Sequence, residues 1–176
     1  WPRDWSSDVC SSDLAEFFPA GEWTHIVVTY DSTTKDVQMY RNGIAQETQV
    51  AYEINTEGGV TGVLGSDPDM EKSIGYNGPA HKGAYLNAAL DHYELFNDTA
   101  TAEQALALYE ENKETQTSGL KNQVLDLEFE DNLTDGTGIN TDIKFAGSGY
   151  QYVDGANGGK ALKLTGNTYI DLGKNT

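Results

Sequence analysis

Residues 21–43 read GEWTHIVVTYDSTTKDVQMYRNG, and this stretch restricts the fold more than any other part of the chain. The β-branched run at 25–30 predicts one strand, the polar residues 31–35 predict a turn, and residues 36–41 predict a second strand. The second strand ends at Asn42-Gly43, a strong hairpin signal because both central positions of a type I′ turn require a positive φ. Antiparallel hairpin structure is therefore predicted here.

Six further segments carry short motifs that are typical of one protein family. They read SIGYNG at 73–78, LNAALDHYELF at 86–96, TAEQALALY at 101–109, VLDLEFEDNLTD at 124–135, YVDGANGGKALKL at 152–164 and YIDLG at 169–173. Together with residues 21–43, they resemble the laminin-G-like jelly rolls of the concanavalin A-like lectin/glucanase superfamily. The resemblance covers nearly all of the chain after residue 14.

The order of these motifs is unusual for that family. Segments that resemble the end of a module come first, and segments that resemble its beginning follow. The resemblance implies the C-terminal part of one jelly roll at 15–112, a polar linker at 113–122 and the N-terminal part of a second jelly roll at 123–176. We expect an all-β fold, an antiparallel β-sandwich of jelly-roll type that is incomplete or permuted, with one short helix near 101–112.

Local signals support the helix and the strand after the linker. Thr101 can cap the helix, with Gln104 three residues later as in a capping box. Leu125, Leu127 and Phe129 alternate with acidic residues, which predicts a strand with one buried face.

The two halves should also pair with each other. In the family the first strand of a module pairs with the last, and neither half has enough strands to bury a core alone. A strand left without its neighbour invites the addition of another. We therefore expect antiparallel pairing of residues 86–96 with residues 124–130.

The first fourteen residues do not resemble the rest. Residues 4–14 back-translate to one fixed DNA string, a common sequencing adapter, so residues 1–14 are predicted to be an artefact without a packing role. The chain's single cysteine, Cys10, falls in this segment. The remaining sequence therefore offers no disulfide, thiol nucleophile or cysteine-based metal site.

The net charge of the chain bears on the class of molecule that it can bind. The formal net charge is −17, which argues against nucleic acid because no basic patch is present to contact phosphates. No apolar run approaches the roughly 20 residues that a membrane-spanning helix needs, so membrane insertion is not expected.

Three carboxylates, Asp126, Glu128 and Glu130, lie on one face of the predicted strand. Some retaining glucanases of the superfamily carry Glu-x-Asp-x-Glu on a strand in the cleft, and such chemistry needs two carboxyls about 5–5.5 Å apart. The alternative is a solvated face whose charges discourage edge pairing. We favour the solvated face, because the order here is Asp-x-Glu-x-Glu and the strand matches the start of the jelly roll.

A loop rich in hard oxygens follows this strand and contains Asp131, Asn132 and Asp135. Calcium prefers six to eight such ligands. The resemblance implies a calcium site formed by this loop with Asp91 of the last strand, whereas an Asx-turn explains the same residues without metal. The acidic residues at 67–71 lack the glycine of an EF-hand loop and are interpreted as solvated.

Trp23 is either a core residue or a platform for sugar stacking, and it is the only candidate for a ligand-binding residue. The resemblance implies non-catalytic binding of a glycan or an extracellular protein, at the cell surface or outside the cell, alongside other domains of the same chain. The alternatives are a glucanase that uses Asp126, Glu128 and Glu130, and a purely structural spacer.

Overall fold

The computed structural model describes residues 16–31, 33–34, 36–47, 72–76, 85–111 and 120–173. The strands are β1 (Ile26–Tyr30), β2 (Val37–Arg41), β3 (Ile44–Ala45), β4 (Ser73–Ile74), β5 (Ala88–Leu90), β6 (Tyr93–Phe96), β7 (Gln123–Leu127), β8 (Lys144–Ala146), β9 (Tyr150–Asp154), β10 (Lys160–Leu164) and β11 (Tyr169–Asp171). One helix, α1 (Ala102–Glu111), lies between β6 and β7. The residues predicted to be adapter-derived and the acidic residues 67–71 lie outside the described part of the chain.

The predicted hairpin is confirmed. Strand β2 lies between β1 and β3 in an antiparallel sheet. Asn42 (φ 50°) and Gly43 (φ 76°) both adopt the left-handed conformation that a type I′ turn requires. The Asn42 side chain fixes the turn to the start of β1, because its Oδ1 accepts a hydrogen bond of 2.9 Å from the His25 backbone N–H.

Helix α1 packs beside this hairpin and begins with the predicted capping box. The Thr101 backbone N–H donates to Gln104 Oε1 at 3.0 Å, and the Gln104 N–H donates to Thr101 Oγ1 at 3.2 Å. Ala105 and Leu108 of the helix are buried. The ring of Tyr109 lies 5.7 Å from that of His25.

The remaining strands join the two halves of the chain. Strand β10 lies between β5 and β9, β11 lies between β4 and β8, and β6 pairs with β7. All of these pairs are antiparallel. Unlike the sheet of β1, β2 and β3, each of these three sheets combines strands from before and after the segment 112–119.

The expected pairing of residues 86–96 with residues 124–130 is confirmed for β6 and β7. The earlier part of the first segment differs from the prediction, because β5 pairs with β10 instead and the turn at Asp91 and His92 separates it from β6. Tyr93 lies opposite Leu127, Glu94 opposite Asp126 and Leu95 opposite Leu125. The ladder shifts register between Leu95 and Phe96. The strand that resembles the start of a module, β7, thus pairs with β6, which resembles the end of a module.

One hydrophobic core forms where these strands meet. Its buried members are Ile74, Leu125, Leu127, Phe129, Leu162, Leu164, Ile170 and Leu172. Leu86, Leu90 and Tyr93 of the first half pack against it. Since Leu125, Leu127 and Phe129 are buried, the predicted one-sided pattern of β7 is also confirmed.

The described structure is mostly antiparallel β-sheet with one short helix, as the fold-class prediction required. The division into two modules stays a prediction. Among the described residues, no helix has the length and apolar character needed to cross a membrane.

Candidate functional site

An open cavity of about 260 Å³ lies where the turn between β5 and β6 meets the end of β7. Its lining consists of Asp91, His92, Glu128, Glu130, Asn157 and Gly158. Three carboxylates and a side-chain amide make this a strongly polar cavity. Both halves of the chain contribute to it.

The alternation of β7 places two of these carboxylates on the cavity. Because Leu127 and Phe129 point into the core, Glu128 and Glu130 project to the other side and are exposed. Antiparallel pairing of Tyr93 with Leu127 brings the preceding turn, Asp91 and His92, alongside them. His92 has a φ of 54°, the left-handed conformation of a tight turn.

Two of the carboxylates hold the loop between β9 and β10. Asp91 Oδ2 accepts a hydrogen bond of 2.6 Å from the Ala156 N–H, and Glu130 Oε1 accepts one of 2.9 Å from the Lys160 N–H. The loop approaches closely because it is rich in glycine: a Cβ added at Gly155 would lie 3.0 Å from Asp91 Oδ2. Asp91 and Glu130 therefore already have a structural role.

Asp126 faces a different set of neighbours. Its Oδ1 lies 3.0 Å from His92 Nε2, which is also 3.8 Å from Glu94 Oε1. Gln123 Nε2 donates to Glu94 Oε1 at 2.8 Å. The ligand atoms of His92, Glu94 and Asp126 lie within 4.8 Å of one another, a spacing that a metal ion could bridge. This polar group connects β6 to β7.

Asp135 is the organising residue of the loop after β7. Its carboxylate accepts hydrogen bonds from the Asp126 N–H (2.9 Å), from the Thr137 N–H and hydroxyl (3.0 and 2.6 Å), and from the Asn140 N–H and side-chain amide (3.0 and 2.7 Å). Burial raises the pKa of Asp135, but the hydrogen bonds from Thr137, Asn140 and Asp126 outweigh it and lower the pKa to about 2. Both oxygens are thus engaged within the protein.

Asn132 forms the Asx-turn that was the alternative to calcium binding. Its Oδ1 accepts a hydrogen bond of 2.9 Å from the Thr134 N–H, and its Nδ2 donates to the Glu130 carbonyl at 2.8 Å. Asp131 is exposed, with a φ of 55°.

Of the four predicted calcium ligands, only Asp91 lines the cavity; Asp131, Asn132 and Asp135 do not. The structure instead groups Asp91 with Glu128 and Glu130. From the sequence, Glu128 and Glu130 are candidates for catalysis, and no local motif connects them to Asp91. Extending the expected β6–β7 register beyond Tyr93 would have identified the neighbourhood. Calcium binding itself stays a prediction.

Trp23, the predicted ligand-binding residue, precedes β1 and is 42% exposed, so it is not part of the buried core. Phe18 is 48% exposed, and the neighbouring Phe17 ring lies beneath the Arg41 guanidinium at 5.2 Å. This end of the hairpin therefore presents aromatic side chains to solvent.

A second aromatic group was not anticipated from the sequence. The rings of Tyr76 and Tyr85 stack at 4.9 Å, and Tyr169 stacks on Tyr76 at 5.0 Å. The three tyrosines come from separate segments. The pairing of β4 with β11 brings Tyr169 to Tyr76, and an antiparallel bridge brings Tyr85 to Tyr76.

A laminin-G family model, described as concanavalin A-like lectin/glucanases superfamily, matches residues 6–105. No curated protein and no solved structure matches the chain. The match begins inside the segment predicted to be adapter-derived, and that prediction remains untested. Since the match spans more than half of the 176 residues, the chain belongs to the concanavalin A-like lectin/glucanase superfamily.

Proposed function

We propose that this chain is a non-catalytic recognition module that binds a carbohydrate or a protein outside the cell or at its surface. The observation that carries the proposal is the arrangement of three carboxylates, Asp126 in β7 and Glu128 and Glu130 directly after it. Asp126 contacts His92, and Glu130 accepts the Lys160 N–H, so both have structural partners. Glu128 also lines the cavity, but it takes part in neither of these two contacts.

This arrangement does not favour the glucanase alternative. A retaining glycosidase needs one carboxyl to donate a proton and a second, about 5–5.5 Å away, to attack the sugar. The Asp126 carboxylate contacts His92, whereas Glu128 and Glu130 line the cavity. The face is better suited to fixing loops than to enclosing a scissile bond.

Exposed aromatic side chains support a binding role over a purely structural spacer. Trp23 and Phe18 present apolar ring surface beside the polar turn at Asn42. Aromatic rings can pack against the apolar faces of sugars or against protein side chains. The net charge of −17 directs the proposal away from nucleic acid.

The test measures binding and hydrolysis on the same material. The chain is applied to immobilised β-glucans and xylans, and released reducing sugar is measured for the wild type and for Glu128→Gln. We expect retention without hydrolysis, and no difference between the two proteins in sugar release. Hydrolysis that Glu128→Gln abolishes would establish the glucanase alternative instead.

A matched pair of aromatic substitutions locates the ligand. Trp23→Ala should weaken glycan binding about tenfold, the equivalent of losing one ring contact. Tyr150→Ala is the control, because Tyr150 has nearly the same exposure, 43% against 42% for Trp23. Equal loss in both variants would contradict the assignment of the Trp23 surface.

A further inference from the structure

Three strands of the first half, β4, β5 and β6, have their ladder partners in the second half. Among the residues that the structure describes, β4 pairs with β11, β5 with β10 and β6 with β7. None of β4, β5 and β6 pairs with another strand of the first half. Residues 16–111 therefore present strands that segment 120–173 completes.

Polar contacts fix the register between the halves. His92 contacts Asp126 at 3.0 Å, and Gln123 donates to Glu94 at 2.8 Å. The Asp91 carboxylate accepts the Ala156 N–H. A strand that slipped by one residue would lose these pairs and turn its apolar side chains to solvent. Recognition between the halves is thus specific in sequence as well as in shape.

The apolar contacts are shared in the same way. Leu125, Leu127, Leu162 and Leu164 of the second half are fully buried. They meet Ile74, Leu86, Leu90 and Tyr93 of the first half. Without these neighbours the second half would expose a continuous hydrophobic face.

We propose that residues 16–111 bind residues 120–173 of a second copy of this chain, so that two copies assemble by exchanging their second halves. The exchanged dimer contains the same ladders, core and polar pairs, because the only change is which copy supplies each half. This inference goes beyond the proposed ligand binding and does not depend on it.

Protein concentration controls the balance between the two forms. Residues 112–119 tether each second half to its own first half, and a short tether gives an effective concentration on the order of millimolar. Exchange also requires the three ladders to open. Copies that fold together at high concentration should therefore exchange more than copies mixed after folding.

Disulfide trapping tests the exchange directly. Glu94 and Asp126 lie opposite each other, and opposed residues of antiparallel strands have Cα atoms about 4.5–5.5 Å apart, within the range of a disulfide. One full-length chain carries Glu94→Cys and the other Asp126→Cys, both with Cys10→Ser. The two are refolded together at high concentration under mild oxidation.

We expect a cross-linked heterodimer of about twice 19.2 kDa on a non-reducing gel, and much less of it when the two chains are mixed after folding. The control pair is Glu94→Cys with Lys163→Cys, because Lys163 lies opposite Ala89. Equal cross-linking in the control, or none with the Asp126 variant, would overturn the proposal.

Two chains that each carry a disruptive substitution in a different half provide a second test of exchange. Ile74→Asp disrupts the first half and Leu127→Asp the second, since both side chains are buried in the shared core. An exchanged heterodimer of these chains contains one undamaged composite unit. Co-refolding should restore about half of the wild-type near-ultraviolet circular dichroism and produce a dimer. A mixture that equals the sum of its separate components would count against exchange.

Discussion

Replacing Leu125 with alanine tests whether the second half supplies the core that stabilises the first. Leu125 is fully buried and lies opposite Leu95. The three carbons removed are worth about 2.4 kcal/mol at roughly 0.8 kcal/mol per buried methylene. The cavity left behind adds about 1–2 kcal/mol, so Leu125→Ala should lower the free energy of unfolding by about 3.5–4.5 kcal/mol.

The control is the same substitution on the facing strand. Leu95 is 45% exposed, so about half of its side chain gains from burial and no enclosed cavity forms. Leu95→Ala should therefore cost only about 1 kcal/mol. Urea unfolding followed by circular dichroism gives both values, and an unchanged m-value would show that the compared states are the same.

Hydrogen exchange measured by mass spectrometry shows which strands lose stability in the Leu125→Ala variant. If the halves form one core, Leu125→Ala should reduce amide protection in β5 and β6 as well as in β7. Full retention of protection in β5 and β6, or equal destabilisation by the two substitutions, would refute the shared core.

Three further predictions concern local features. Gly43→Ala should cost about 1–2 kcal/mol in urea unfolding, because φ is 76° there and the new Cβ would lie 2.6 Å from Leu106 Cδ1; a cost below 0.5 kcal/mol, roughly the scatter of neutral surface changes, would contradict this. Thr101→Ala should cost about 1 kcal/mol and Thr101→Ser much less, since serine keeps the hydroxyl that accepts the Gln104 N–H. Asp135 has a folded-state pKa of about 2, below its ordinary 3.8, so it stabilises the fold above about pH 4 and this contribution is lost as pH falls towards 2. Asp135→Asn should be less stable than the wild type at pH 6, and the difference should shrink in acid; a constant difference would contradict the assigned pKa.

Features set by local sequence could be predicted well. The type I′ turn at Asn42-Gly43 and the capping box at Thr101 each depend on a few adjacent residues with specific conformational needs. The buried face of β7 could be predicted equally well, because apolar and acidic residues alternate in the sequence of a strand with one buried face. The pairing of β6 with β7 needed the family resemblance as well, since the two strands are separated by a helix and a linker.

The candidate site was harder to predict because several distant segments form it. Asp91 and Glu128 become neighbours only through the β6–β7 register, and Asn157 arrives with the loop between β9 and β10. The role of Asp135 could not be predicted from its neighbours in the sequence. A carboxylate in an acidic loop has the sequence pattern of a metal ligand, but in the structure backbone and side-chain donors bind both of its oxygens.

The position of Trp23 links the proposed binding function to the proposed assembly. Trp23 belongs to the first half of the chain, and its exposed ring lies on the hairpin of β1 and β2, whose ladder lies entirely within the first half. Exchange of second halves would therefore leave this surface unchanged in each copy. A closed monomer would carry one Trp23 surface and an exchanged dimer two. Exchange would then convert a single binding surface into a bivalent one, which raises avidity on repetitive ligands without any new contact.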